Sequence, residues 1–246
     1  MPWRNAATTY RSAAGFDLTI PSGPTSILAE WMPGPPYSVL RGTPVPPERV
    51  EHARQVVEKA ISLYPPGFLA PRLHGVVVQK TIECDGQPYA GTYMFGLVLV
   101  ATDAYPQAGQ RQDDYLTRAV HHEISSVLLH AHRDLFDESR FRAANPPGFV
   151  YTDEGGPSVG SSPVNTSPDR GEMKYGFLAL YARQNLEQDF NSYAEVMLWE
   201  PGMLLEPQLA EMPIGRKARA VRDFYVAIDK RFAAIFDAPV AAPEKP

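Results

Sequence analysis

The chain has 246 residues, with 23 Lys and Arg against 28 Asp and Glu and a formal net charge of −5. At 44% hydrophobic and 11% aromatic residues it can fill a sizeable core, which excludes a wholly disordered chain and suits one large domain or one domain with extensions. The acidic balance lacks the footprint of nonspecific nucleic-acid binding, no apolar run reaches the roughly 18 residues of a membrane span, and a single cysteine, Cys84, excludes an intrachain disulfide and a cysteine-built zinc site.

Residues 1–20 show no basic start followed by an apolar core, so no signal peptide is expected. Prolines crowd between Pro33 and Pro47. Residues 1–46 therefore read as an extended, loop-rich arm on the body, anchored by Trp3, Phe16, Ile20, Leu28 and Trp31. The body over 47–236 is expected to be α+β, and residues 237–246 to form a flexible tail. Its first helix is predicted over 47–64. Pro46 and Pro47 suit a first turn, Val50, Ala53, Val57, Ala60, Ile61 and Tyr64 recur at helical spacing, and Pro65-Pro66-Gly67 stops it. Two β-like runs follow, Gly75–Thr81 and Thr92–Ala101. The segment Glu83–Gly91, with Asp85-Gly86, joins them, so an antiparallel pair is predicted.

A second helix is predicted from about Gln112 to Leu135. The polar stretch Asn145–Glu172 is too long for a plain connector, which points to a functional loop. A third helix starts at Asn185, an N-cap with Gln188 as its capping-box partner, and ends before Pro201-Gly202. The fourth covers Gly215–Phe236, with Val221, Phe224, Tyr225, Ile228, Phe232 and Ile235 on one face. Arg216, Lys217, Arg219 and Arg222 read as its solvated face.

The second helix concentrates the chemistry. Four of the six histidines fall in HHEISSVLLHAH, at His121, His122, His130 and His132. With His122 set at 0° on a wheel of about 100° per residue, Ser126, His130 and Glu123 fall near 40°, 80° and 100°. They form a polar sector beside the apolar stripe of Leu116, Val120, Ile124, Val127, Leu128 and Ala131. His-Glu in mid-helix begins the zincin signature, in which a second His at i+4 completes a two-imidazole grip on Zn²⁺ and the Glu is general base to the bound water. Here Ser126 holds that place, and a hydroxyl is a poor zinc ligand. His130 lies about 12 Å further along the axis. On the third helix Glu187, Asn191 and Glu195 share a stripe at i, i+4 and i+8. It reads as an acidic solvent face or as the source of a carboxylate ligand, with Phe190, Tyr193, Ala194 and Met197 on the core side.

HHEISSVLL followed by GFLALYARQNLEQDFNSYAEVM resembles a bacterial family of zinc-binding metallopeptidases with a gluzincin-like fold. The resemblance covers roughly 73–232, and its specific part is confined to the two helices. It implies a zincin-like domain: a small antiparallel or mixed sheet whose edge strand lies over the active-site helix, with a mainly helical C-terminal half. It also implies zinc as cofactor, with His122 as first metal ligand, Glu123 as general base and Tyr181 as oxyanion stabiliser. Glu195 matches the acid that closes the downstream motif. Aligned on Asp189-Phe190 instead, Glu187 becomes the candidate ligand. His121 could supply a further ligand after a local change in helix geometry. The setting that the resemblance favours is exported or envelope-bound if a leader has been removed, and cytoplasmic otherwise.

Two readings follow. One is a zinc-dependent metallopeptidase with a rearranged metal site. The other is a zincin-like scaffold without catalysis that binds a peptide or protein. The groove under an edge strand serves both, because an extended peptide adds to a sheet edge through main-chain hydrogen bonds. A serine-hydrolase reading from Ser125 or Ser126, His122 and Asp189 has little weight, since a mid-helix serine lacks the nucleophile-elbow setting. His52 and His74 read as ordinary polar residues. Gly155-Gly156 and Gly160-Ser161-Ser162 lack phosphate-loop spacing, and Cys84 reads as a bystander near a turn.

Overall fold

The structure, a computed structural model, describes residues 7–12, 15–28, 38–104, 112–152, 169–200 and 203–237. Trp3, Trp31, much of the proline-rich segment, the middle of the polar stretch and the tail from 238 lie outside these residues. The described residues form two compact units, one up to Leu128 and one from Leu129 onward. The class is α+β. Among the described residues, no helix is long and apolar enough to cross a membrane.

Among the described residues the first unit contains nine strands. In chain order they are β1 (Ala7–Arg11), β2 (Asp17–Pro21), β3 (Thr25–Leu28), β4 (Val39–Thr43), β5 (Gly75–Gln79), β6 (Thr81–Cys84), β7 (Gln87–Tyr89), β8 (Gly91–Met94) and β9 (Leu97–Ala101). One sheet has the order β1-β2-β5-β9-β8 and the other β3-β4-β6-β7. The five-stranded sheet is mixed: β2, β5 and β9 run parallel, and β1 and β8 are antiparallel to their neighbours. All pairs in the four-stranded sheet are antiparallel. Helix α1 (Val50–Ile61) precedes β5, and helix α2 (Gln112–Ala131) follows β9.

Strands β5 and β9 are buried along their whole length. Successive strand residues face opposite ways. Val77, Leu97, Leu99 and Ala101 turn toward Ile27, Leu40, Ile82 and Cys84 of the second sheet, in one apolar cluster. Val76, Val78, Val98 and Val100 turn to the other face and are equally buried. Gly91 pairs with Val100 and so belongs to that second face. A Cβ placed there would meet the Glu123 side chain. Helix α2 therefore covers the five-stranded sheet on the face away from the second sheet. Arg49, just before α1, makes a two-pronged ion pair with Asp103, just after β9, at 2.6 and 3.1 Å.

Several expectations change here. The stretch read as a loop-rich arm supplies β1 to β4, and β2 lies inside the main sheet. Burial from Leu18 to Pro21 with backbone pairing on both sides explains why it is strand rather than loop. The run Gly75–Gln79 pairs parallel, not antiparallel, with Leu97–Ala101. The reason is that two hairpins intervene rather than one. Asp85-Gly86 and Phe95-Gly96 each have both residues at positive φ, the geometry of the tight turns that match strand twist. The second of these cuts Thr92–Ala101 into β8 and β9. Helix α2 stops at Ala131, and a separate 3-10 turn covers Arg133–Leu135.

The second unit is helical. It contains α3 (Glu138–Arg142), α4 (Arg170–Met173), α5 (Leu186–Trp199), α6 (Pro213–Ile228) and α7 (Phe232–Phe236). The predicted single helix over Gly215–Phe236 is two helices. Asp229 leaves helical geometry, and its carboxylate accepts the backbone N–H of Arg231, giving the chain an alternative to continued helix. The core is aromatic. Phe136, Phe190 and Phe224 meet one another edge-to-face, with ring centroids 5.0, 5.1 and 5.9 Å apart, a favoured arrangement of ring quadrupoles. Asn185 caps α5 as expected, accepting the Gln188 backbone N–H at 2.9 Å. Asn185→Ala is expected to lower the stability of the second unit by about 1 kcal/mol, measured as a shift of the urea midpoint without a change in slope.

Candidate functional site

The residues singled out in the sequence divide between the units. His121, His122, Glu123, Ser125 and Ser126 are on α2 within the first unit. Tyr181, Glu187, Asp189 and Glu195 are in the second.

In the first unit the geometry centres on Glu123. Its residue is 8% exposed. A Cβ on Gly91 would lie 2.8 Å from Glu123 Cγ and 2.9 Å from Oε1. Only a residue without a side chain lets strand and carboxylate approach so closely. Among the described residues strand β8 ends the sheet order, so this acid sits beneath an edge strand. Ala101 donates its N–H to the Ala90 carbonyl at 2.8 Å. In the alternating antiparallel pattern, Thr92 and Met94 then exchange bonds with β9, and Gly91 and Tyr93 direct their backbone polar groups to the outer edge.

His122 is half-buried, and its carbonyl accepts the Ser125 hydroxyl at 2.7 Å. His121 is fully buried, 0% exposed, with Nδ1 3.1 Å from the Tyr64 hydroxyl and its ring tilted against the Tyr64 ring at 5.6 Å. Ser126, four residues after His122, is buried. Among the described residues, no three His, Cys, Asp or Glu side chains converge to hold a metal ion. A zinc centre needs three protein ligands and one open position, and the described donors do not fit one. Within the predicted apolar stripe, Val127 is half-buried and Ala131 is exposed. His52, exposed on α1, bonds Asp113 at 2.8 Å, and His74 donates its backbone N–H to Gly96. Cys84 is near the turn but buried in the core cluster.

In the second unit α5 is more deeply placed than its charges suggest. Asn191 is fully buried and Glu195 is 6% exposed, which corrects the reading of a solvent-facing acidic stripe. Glu187 is half-buried. Eight residues separate it from Glu195, about 12 Å along the axis, so the two acids serve different points. Tyr181 lies half-buried in a 3-10 turn over Leu180–Arg183.

The reading of Lys217 as part of a solvated face is overturned. Lys217 Nζ lies 2.6 Å from Asp189 Oδ2, and both side chains are 0% exposed. The Tyr151 hydroxyl donates to the same oxygen at 2.7 Å, and Asn145 Nδ2 lies 3.5 Å from that hydroxyl. Burial pushes the Asp189 carboxyl up to about 6, opposed by Lys217, and the same burial pulls the lysine down. Burial also drives the Tyr151 phenol upward, so it is a hydrogen-bond donor at neutral pH. Sequence reading missed this cluster. The serine-hydrolase triad loses its parts, because Ser125 bonds the helix backbone and Asp189 bonds Lys217.

No family model matches the chain, and no curated protein or solved structure does.

Gly91→Ala is expected to destabilise the first unit by roughly 1–3 kcal/mol through overpacking against the carboxylate. Removing the obstruction with Glu123→Ala should recover part of that loss. A double-mutant cycle of denaturation midpoints reads the coupling, and strict additivity would show that the two groups do not meet.

Proposed function

We propose that the chain is a zincin-like scaffold whose first unit binds an extended peptide segment along β8, and that it does so without zinc hydrolysis. The observation that carries this reading is the placement of Glu123 directly beneath Gly91 of an edge strand. That is the relation of acid, helix and strand which the resemblance implies for a peptide-handling groove. An incoming strand would meet the outward backbone groups of Gly91, and main-chain hydrogen bonds supply affinity with little demand on side-chain identity. The absence of a side chain at Gly91 keeps that stretch of edge low.

Catalysis is the part that the donor chemistry disfavours. Ser126 offers a buried hydroxyl where an imidazole is needed, and His121 has one ring nitrogen committed to Tyr64. Glu123 keeps the place of a general base, but the hydrolysis that the resemblance implies gives it a metal-bound water to act on, and Ser126 removes one of the ligands that would hold that metal. In this reading Glu123 is a wall and polar contact of the groove.

Two measurements test it together. Elemental analysis of protein purified without chelator should give far less than one zinc per chain, with no change in His122→Ala. Linear peptides selected from a displayed library should bind the full chain, and N-methylation of alternate backbone nitrogens should abolish their binding. About one zinc per chain, lost in His122→Ala and accompanied by cleavage of the selected peptides, would establish the metallopeptidase with a rearranged site instead. Binding that tolerates N-methylation at every position would remove strand addition.

A further inference from the structure

We propose that Lys217 and Asp189 are the two halves of an intramolecular isopeptide bond that the second unit forms after it folds. The pair lies on adjacent turns of the core, Asp189 from α5 and Lys217 from α6, with the nitrogen 2.6 Å from Oδ2. Four features distinguish it from a simple structural ion pair. Both side chains are completely shielded from solvent. Beside its contact with Asp189 Oδ2 the ammonium lies among rings: it is 4.0 Å from the Phe177 centroid, 4.9 Å from Phe141 and 6.0 Å from Tyr193. Among the described residues, Asp189 Oδ1 is buried with no hydrogen-bond partner. Finally, a hydroxyl, that of Tyr151, is already bonded to the oxygen facing the lysine.

A carboxylate with a bare, buried oxygen and an ammonium among rings are poorly solvated as ions. Proton transfer from Nζ to Oδ2 within the pair turns them into a neutral acid and a neutral amine, the forms that condensation consumes. The amine lone pair then attacks Asp189 Cγ and forms the C–N bond. Tyr151 relays one proton from nitrogen to Oδ2 and is restored. The Cγ–Oδ2 bond breaks and Oδ2 leaves as water, while Oδ1 becomes the amide oxygen. One ammonium and one carboxylate give one amide and one water, with no change of oxidation state and no outside reagent. The product removes both buried charges. The attacking and accepting atoms are held in place by the folded core, so their effective concentration is far above that of free reactants. Because α5 and α6 are joined only in the folded unit, the bond would lock the two helices together against unfolding.

Mass spectrometry of the intact, denatured chain tests this directly. The full-length protein, incubated at neutral pH after purification, should be lighter than its sequence by the mass of one water. Proteolysis should then release a branched peptide containing both Asp189 and Lys217. Lys217→Arg, which keeps the charge but not the nucleophile, should have its full sequence mass. Tyr151→Phe should convert more slowly and show both species at early times. A wild-type chain that stays at full mass overturns the proposal whether or not the variants fold. So does a water deficit that persists in Lys217→Arg, since it would then arise elsewhere, for example at Asp85-Gly86. Conversion of Tyr151→Phe at the wild-type rate would remove the tyrosine's role as relay.

Discussion

The first unit depends on the double-sided burial of β5 and β9. Valines and leucines on both faces of these strands must leave water, and each fully buried side chain of this kind contributes about 1.5–3 kcal/mol. One face is met by the second sheet and the other by α2. That requirement, rather than any property of His122 or Glu123, brings α2 against the five-stranded sheet. The antiparallel hairpin of β8 on β9 then places an edge strand at the rim of the covered face. Glu123 is held under Gly91 as a consequence. The contact is close, since a Cβ at Gly91 would lie 2.8 Å from Glu123 Cγ and 2.9 Å from Oε1.

The second unit is organised by an ionic constraint inside an aromatic core. Burying two opposite charges offsets their attraction with desolvation, so such a pair is weak evidence of stability by itself. Its clear effect is on arrangement. Asp189 and Lys217 must be opposite each other, since either one alone would leave an uncompensated charge in the core at a cost of about 3–5 kcal/mol. This fixes the register of α5 against α6. Tyr193, one turn further along α5, adds a second polar tie through its hydroxyl to the Gly176 carbonyl at 2.9 Å.

Much of this was legible in the sequence where one physical signal acts alone. The Asn185 cap and the apolar spacing of α1 each rest on local chemistry, and each appears in the fold, although the helix expected over 47–64 runs over Val50–Ile61, ends before Pro65-Pro66, and follows a separate 3-10 turn at Pro47–Arg49. Pairing direction was not legible, because it depends on how many turns intervene. The left-handed pair Phe95-Gly96 lacks the Asn or Asp that usually announces such a turn. Composition misled over 7–43, where prolines between strands masked the short strands themselves. Lys217 was misread although its signal was present. It lies four residues before Val221 and seven before Phe224, on the apolar stripe of α6, and Asp189 likewise lies four before Tyr193. A charge of each sign on the buried stripes of two helices can fold only if the two meet, an argument that needs both helices considered at once.

The helix α2 joins two kinds of residue that follow different rules. Val120, Ile124 and Leu128 are fixed by packing. His122 and Glu123 are not explained by packing, since a half-buried imidazole and a buried carboxylate are both costly choices at a sheet face. Ser126 is the informative position. A small buried residue one turn after His122 closes the space that an imidazole would occupy, and it lets the helix lie close to its neighbour. Close approach of helix to sheet and a three-ligand metal site compete for the same volume. Ser126 is buried and small, which favours close packing at that place, and in the reading proposed above Glu123 and its strand serve a groove rather than a metal site.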